Sequence, residues 1–106
     1  MNTQYTYNAL CTSVYDGDSV TLDIDLGFNM WMRNQKIRLL GIDTPELRGE
    51  ERPEGLVAAS RLRELIENRE VTLQSHRDKA GKYGRWLGTI YLDGVSMNQL
   101  LLDEGL

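Results

Sequence analysis

Hydrophobic and polar residues alternate strictly in the stretch "SVTLDIDL", residues 19–26. Val20, Leu22, Ile24 and Leu26 fall on one face, and threonine and aspartate residues occupy the other. Side chains of a strand point to opposite faces in turn, so this pattern is typical of a strand with one buried face. It is the clearest strand of the chain.

Four further strands are predicted around it. Residues 4–15 are rich in tyrosine, threonine and valine and are followed by the turn signal "DGD". "GFN" supplies turn residues after the alternating strand, and residues 30–42 are interpreted as its hairpin partner. "EVTLQSH" and "WLGTIYL" predict a fourth and a fifth strand, separated by a polar loop over residues 77–85.

Two helices complete the pattern. Pro53 suits the first turn of a helix, and the apolar residues that follow are spaced for one helical face: Leu56, Ala59, Leu62, Leu65 and Ile66. Ser96 and Gln99 match a capping box for a last helix, and Gly105 matches its C-terminal cap.

The order is therefore three strands, a helix, two strands and a helix. With 106 residues the chain is long enough for one packed core. We expect a single domain over residues 1–106 of the mainly β, α+β class: a five-stranded OB-fold barrel with two or more packed helices.

Composition limits the chemistry. The net charge of -4 argues against a protein that binds nucleic acid through bulk positive charge, so a polyanion has to be met by a few placed arginines or a bound cation. Cys11 is the single cysteine, which excludes an internal disulfide and a cysteine-based zinc site. The sequence has neither a membrane-length apolar run nor a signal segment, so we expect a cytoplasmic protein, or a secreted or periplasmic one if a signal was removed from a parent chain.

Carboxylates gather at strand ends. Asp43 and Glu46 end the third predicted strand in "IRLLGIDTPE", and Asp18 has the strand parity of Val20 at the mouth of the sheet. Hairpin pairing would bring them together, and converging carboxylates repel one another unless a cation lies among them. Oxygen ligands suit calcium or magnesium rather than zinc.

Two arginines accompany these carboxylates. Arg38 lies on the strand that leads to Asp43, with Gly41 as a candidate bulge that corrects the phase between them, and Arg85 begins the fifth strand. Planar guanidinium groups facing a carboxylate-bound cation form a phosphate site, in which Glu46 would orient or deprotonate water.

Each feature alone has a simpler interpretation. Asp-Gly-Asp is commonly a plain turn, and a strand arginine is usually solvated or ion-paired. His76 is interpreted as a surface residue, and Trp31 and Trp86 as packing residues rather than base-stacking platforms. The joint occurrence of the motifs favours a functional site.

Taken in order, "DGDSV", "IRLLGIDTPE", "DKAGKYGR" and "YLDG" resemble the staphylococcal nuclease (thermonuclease) family along nearly the whole chain. The resemblance implies an OB-fold barrel and a calcium-dependent phosphodiesterase that cleaves single- and double-stranded DNA and RNA, leaving 5′-hydroxyl and 3′-phosphate products. It implies Asp18 and Asp43 as calcium ligands through their side chains, Thr44 as a ligand through its carbonyl, and Asp16 just behind them.

The resemblance also implies the catalytic and substrate-binding residues. Glu46 would act on the attacking water, and Arg38 and Arg85 would bind the scissile phosphate and its transition state. Lys82 and Tyr83 match positions that border another phosphate of the substrate.

Two departures from the family pattern keep an alternative open. The chain is acidic where secreted members are basic, which lowers nonspecific affinity for nucleic acid. Family chains usually continue past the "EGL" of residues 104–106, so we expect a fragment, a minimal member or one module of something longer. The alternative is a catalytically weak or inactive OB-type module that binds nucleic acid or a protein. We expect a monomer with no membrane partner.

Overall fold

The computed structural model describes residues 5–41, 52–80 and 86–105. Its elements follow the predicted order, with one short strand added before the last helix. They are β1 (Thr6–Asp16), β2 (Ser19–Gly27), β3 (Met30–Leu39), α1 (Arg52–Ile66), β4 (Glu70–Ala80), β5 (Trp86–Leu92), β6 (Val95–Ser96) and α2 (Met97–Asp103).

The strands form one sheet in the order β3-β2-β1-β4-β5-β6, in which neighbours run antiparallel. A parallel pairing of β3 with β5, over Ile37–Leu39 and Trp86–Gly88, closes the five long strands into a barrel. The mixed barrel with two helices confirms the predicted α+β class and OB-fold architecture.

The alternating face of β2 fills the barrel as predicted. Val20, Leu22 and Ile24 are buried against the other strands. Leu26 does not continue this face into the core: it is 40% exposed, because it lies near the tip of the β2–β3 hairpin, beyond the barrel wall.

Helix α1 packs with its predicted apolar face on the core. Ala59, Leu62 and Ile66 are fully buried, whereas Leu56 in the first turn is exposed, contrary to the prediction. The turn after α1 is tied to β1, because the Asn68 N–H donates to the Cys11 carbonyl (2.8 Å). No described helix is long and apolar enough to cross a membrane.

Strand boundaries differ from the predicted ones at two places. β4 continues to Ala80, which pairs with Trp86, so part of the predicted polar loop is strand. β3 ends at Leu39, and Gly41 lies in a turn with φ +80°, the left-handed region that glycine favours. Gly41 therefore ends the strand and is not the bulge that the sequence suggested.

Candidate functional site

Asp18 lies in the tight turn between β1 and β2. Its backbone N–H donates to Asp16 Oδ1 (3.1 Å). This hydrogen bond closes the turn, so the "DGD" motif has a structural role in the turn itself. The Asp18 side chain accepts a hydrogen bond from Ser19 Oγ (3.2 Å), and the residue is only 7% exposed. The turn therefore places a largely buried carboxylate at one end of the barrel, as the strand parity predicted.

Arg38 meets this carboxylate from the neighbouring strand. Arg38 pairs with Ser19 across the β2–β3 ladder, and its Nη2 lies 3.5 Å from Asp18 Oδ2. The Leu39 N–H donates to the Asp18 carbonyl (2.8 Å), which fixes the two backbones against each other. The structure thus brings together one predicted metal ligand and one predicted phosphate-binding arginine.

The electrostatics of Asp18 favour a positive partner. Burial raises the pKa of its carboxyl group to about 7, and the neighbouring Asp16 carboxylate contributes to this rise through a hydrogen bond and through charge repulsion. Arg38 and the Ser19 hydroxyl lower the pKa but do not offset this effect. An ionised Asp18 is therefore under-compensated by its described surroundings.

Asn98, which the sequence did not single out, ties this end of the barrel together. Its side chain is buried in α2, where Nδ2 donates to the carbonyls of Leu40 (2.9 Å) and Gly88 (3.1 Å) and Oδ1 accepts from the Ile90 N–H (3.1 Å). The Leu40 N–H also donates to the Gly88 carbonyl (2.8 Å). The signal in the sequence is an asparagine beside Met97 on the apolar side of a short helix.

The other predicted site residues lie outside the described residues: Asp43, Thr44, Glu46, Lys82, Tyr83 and Arg85. The described chain does show how the strands that lead to them are aligned. Ile37, next to Arg38, pairs with Trp86, next to Arg85. Within the described ranges, no three histidine, cysteine or carboxylate side chains form a cluster suited to a metal ion.

The histidine and the two tryptophans have distinct environments. His76 Nε2 lies 3.0 Å from Thr89 Oγ1, on a half-buried part of the sheet. Trp31 and Trp86 are 43% and 44% exposed, so packing inside the fold accounts for only part of the surface of each residue. Both lie at the beginning of a strand, β3 for Trp31 and β5 for Trp86, where fewer neighbouring strands cover a side chain.

Comparison with known proteins identifies the family of the chain. Residues 36–106 match the family described as "Staphylococcal nuclease homologue". The chain is 32% identical over 100 residues to the thermonuclease of Staphylococcus intermedius, an alignment that covers 92% of this chain and 56% of that protein. It is 30% identical over 96 residues to the thermonuclease of Staphylococcus hyicus, covering 88% of this chain and 53% of the relative.

A third relative is the endonuclease YncB of Bacillus subtilis (strain 168). It is 36% identical over 78 residues, which cover 70% of this chain and 37% of the relative. The chain thus spans about half or less of the length of these curated relatives. The family match covers most of the chain and includes Arg38 and the helix with Asn98, so this protein belongs to the staphylococcal nuclease homologue family.

Proposed function

We propose that the protein is a calcium-dependent nuclease that hydrolyses phosphodiester bonds in DNA and RNA and leaves 5′-hydroxyl and 3′-phosphate products. The observation that carries this proposal is the buried Asp18 carboxylate with the Arg38 guanidinium 3.5 Å away at one end of the barrel. Family membership and the nuclease names of the relatives support it.

The donor set fits a hard cation. Asp18 is a carboxylate whose pKa is raised by burial and by Asp16, so a bound cation would relieve a destabilising charge. Asp18, Asp43 and the Thr44 carbonyl supply oxygen alone, the donor that calcium prefers. When bound, calcium would supply positive charge that stabilises the phosphate during hydrolysis.

The protein side chains divide the remaining work. The Arg38 guanidinium binds nonbridging oxygens of the scissile phosphate with its planar donors, and Arg85 does the same. Glu46 accepts a proton from water or orients it for attack on phosphorus. Lys82 and Tyr83 hold a neighbouring part of the substrate. Arg38 contacts Asp18 in the free protein. The Arg38 guanidinium is therefore already held near the site, and on substrate binding it is shared between the Asp18 carboxylate and the phosphate.

The test is digestion of single-stranded DNA by the purified chain with calcium, with EDTA and with the Glu46→Ala variant. Cleavage that needs calcium and is lost in the variant supports the proposal. Arg38→Lys keeps the positive charge but removes the planar pair of N–H donors that can bind two phosphate oxygens at once, so kcat/KM should fall on the order of 100-fold or more. Near-normal activity of Arg38→Lys would contradict the assignment of Arg38.

The acidic net charge favours a second candidate, the catalytically weak or inactive binding module. That protein would bind an oligonucleotide or a protein without cleaving it and without a requirement for calcium. Fluorescence anisotropy of a labelled oligonucleotide, measured in calcium and in EDTA, separates the two candidates. Binding without cleavage by a chain that circular dichroism shows to be folded would replace the nuclease proposal.

A further inference from the structure

The tip of the β2–β3 hairpin carries aromatic side chains that neither the core nor the proposed catalytic site uses. Phe28 is 99% exposed and has φ +55°, a left-handed conformation that is unfavourable for a bulky residue. Trp31, three residues further along, is 43% exposed. Apolar surface in a costly backbone conformation, with no packing gain inside the fold, indicates a role toward an external molecule.

A bulge in β3 controls which way this tryptophan points. Leu22 pairs with Gln35 but Ile24 pairs with Met32, so β3 contains one extra residue at this place. Asn34 has φ +56° in the bulge, and its N–H donates to Asp23 Oδ1 (2.9 Å). Without the extra residue, the positions before the bulge would have the opposite parity and Trp31 would face the barrel interior.

The bulge aligns cationic and aromatic residues on the outer face of β3. Arg38, Lys36 and Trp31 lie opposite Ser19, Thr21 and Asp25, which alternate on β2 and therefore share one face. Arg33 joins this row, since its guanidinium carbon lies 4.7 Å from the centroid of the Trp31 ring. The row runs on the order of 20 Å along the strand from Arg38 to Trp31.

The charges along this row suit a strand of nucleic acid. Lys36 is exposed and, among the side chains that the structure describes, takes part in none of the ion pairs. Two carboxylates of β2 lie beside the row. Asp23 is paired with Arg33, which donates to its Oδ2 (3.1 Å), and Asp25, opposite Trp31, accepts a hydrogen bond from the Gly27 N–H through Oδ1 (2.8 Å). The Arg33 guanidinium lies over one face of the Trp31 ring, where the attraction between the cation and the indole orients the ring, and Trp31 remains 43% exposed.

We propose that Trp31, backed by Arg33, is an accessory stacking site for an unpaired base of a single-stranded substrate that extends from the catalytic end along β3. This inference rests on the proposed nuclease function. A strand spanning the row would place a phosphate near Lys36 and a base on Trp31, several nucleotides from the bond that is cut. Single strands are favoured because their bases are free to leave the stack, and aromatic platforms on OB-folds bind them with little sequence preference.

Substrate length separates this site from the catalytic site. Base stacking on an aromatic residue contributes enough that its loss weakens binding roughly 5- to 100-fold. We expect Trp31→Ala to raise KM for a 12-nucleotide single strand by that factor with kcat unchanged, and to leave cleavage of a thymidine dinucleotide unchanged. Trp31→Phe, which keeps an aromatic face, should retain most of the affinity. Equal effects on both lengths, or no effect on the longer one, would overturn the proposal.

A binding measurement covers the case in which the protein does not cleave. In a Trp86→Phe background Trp31 is the remaining tryptophan, and its fluorescence should be quenched by the 12-nucleotide strand and not by the dinucleotide. Absence of cleavage with quenching intact would defeat the nuclease function and leave the stacking site standing. Absence of quenching at a concentration where anisotropy shows the strand to be bound would defeat the stacking site.

The same surface has one competing occupant to exclude. A second copy of the chain covering Phe28 and Trp31 would protect them from the strand, and light scattering would then report a dimer that Trp31→Ala converts to a monomer. That result with an unchanged KM would assign the hairpin tip to self-association and overturn the proposal. A monomer at every concentration tested would support it.

Discussion

Asn98→Ala should cost more stability than any exposed substitution in α2. It removes a buried side chain that makes three hydrogen bonds, to Leu40, Gly88 and Ile90. The Gly88 carbonyl keeps the Leu40 N–H as a donor, so the loss falls on the Ile90 N–H and the Leu40 carbonyl. A buried polar group left without its partner costs about 1–3 kcal/mol, and the Leu40 carbonyl is only partly buried, so we expect the free energy of unfolding to fall by about 3 kcal/mol.

The Asn98→Asp variant tests the same hydrogen bonds by replacing the donor Nδ2 with an acceptor oxygen. Asn98→Asp keeps an acceptor for the Ile90 N–H but places a carboxylate against the carbonyl oxygens of Leu40 and Gly88, so it should be worse than alanine at pH 7. Lowering the pH to protonate the introduced carboxylate should recover part of the loss. Gln99→Ala is the matched control, because the Gln99 side chain donates to Asp103 Oδ1 (2.9 Å) at the exposed surface of α2 and its loss should change stability by less than about 0.5 kcal/mol.

Urea unfolding followed by circular dichroism measures all three variants, with an unchanged m-value as the sign that the unfolded states are comparable. A loss of less than about 1 kcal/mol for Asn98→Ala would refute the reasoning, because it would mean that water or a rearranged backbone satisfies both freed groups. Identical behaviour of the alanine and aspartate variants at every pH would refute the orientation of the Asn98 amide, with Nδ2 toward the two carbonyls.

Three more predictions concern the barrel wall. In EDTA at pH 8, Asp18→Asn should stabilise the fold by about 4 kcal/mol, since the unfolded carboxyl ionises near its ordinary pKa of 3.8 and the folded one near 7. The gain in stability should be absent at pH 4, grow between pH 4 and 7 and shrink in calcium, and a constant gain across pH would contradict the reasoning. Gly88→Ala should lower the free energy of unfolding by about 1–3 kcal/mol in the same urea assay, because an added Cβ would lie 2.7 Å from Leu73 Cδ1 and 3.1 Å from Ile37 Cγ2. An unchanged free energy of unfolding would mean that the Leu73 side chain moves aside freely. The hydrogen bond from the Asn34 N–H, and to a smaller extent Arg33, holds the pKa of Asp23 below its usual range, so ionised Asp23 stabilises the fold above pH 4 and loses this effect as the pH falls further. Acid unfolding of Asp23→Asn should therefore depend less on pH below pH 4 than that of the unchanged protein, and an identical curve would contradict this reasoning.

Local patterns were sufficient to predict much of this fold. The alternation in β2 and the aspartate-capped turn at Asp18 depend on residues close together in the chain, so the sequence contains their whole cause. The same is true of the N-cap of α2, where the Gln99 N–H donates to Ser96 Oγ (3.1 Å), and of Gly105, which has φ +77° after the helix. The pairing of β2 with β3 as a hairpin was also predicted, and the contact of Asp18 with Arg38, which was not itself predicted, results from it.

Features that depend on distant partners were not predictable in this way. The bulge in β3 involves Asp23 on the neighbouring strand, so its effect on the direction of Trp31 cannot be read from the residues of β3 alone. Asn98 acquires its importance from backbone groups about 10 and 58 residues away, to which no local periodicity refers. β4 extends past its predicted end because Ala80 finds a partner in Trp86.

The parallel pairing of β3 with β5 has a consequence for how the molecule folds. It consists of three residue pairs, Ile37–Leu39 with Trp86–Gly88, between segments almost 50 residues apart, and Arg38 lies within it. Closing a loop of that length costs about 3 kcal/mol of chain entropy, which three pairs offset only with help from the rest of the barrel. Arg38 is therefore fixed beside the fifth strand only when the chain folds as a whole. Pieces of the domain that lack either of these two strands are therefore not expected to hold Arg38 in this position.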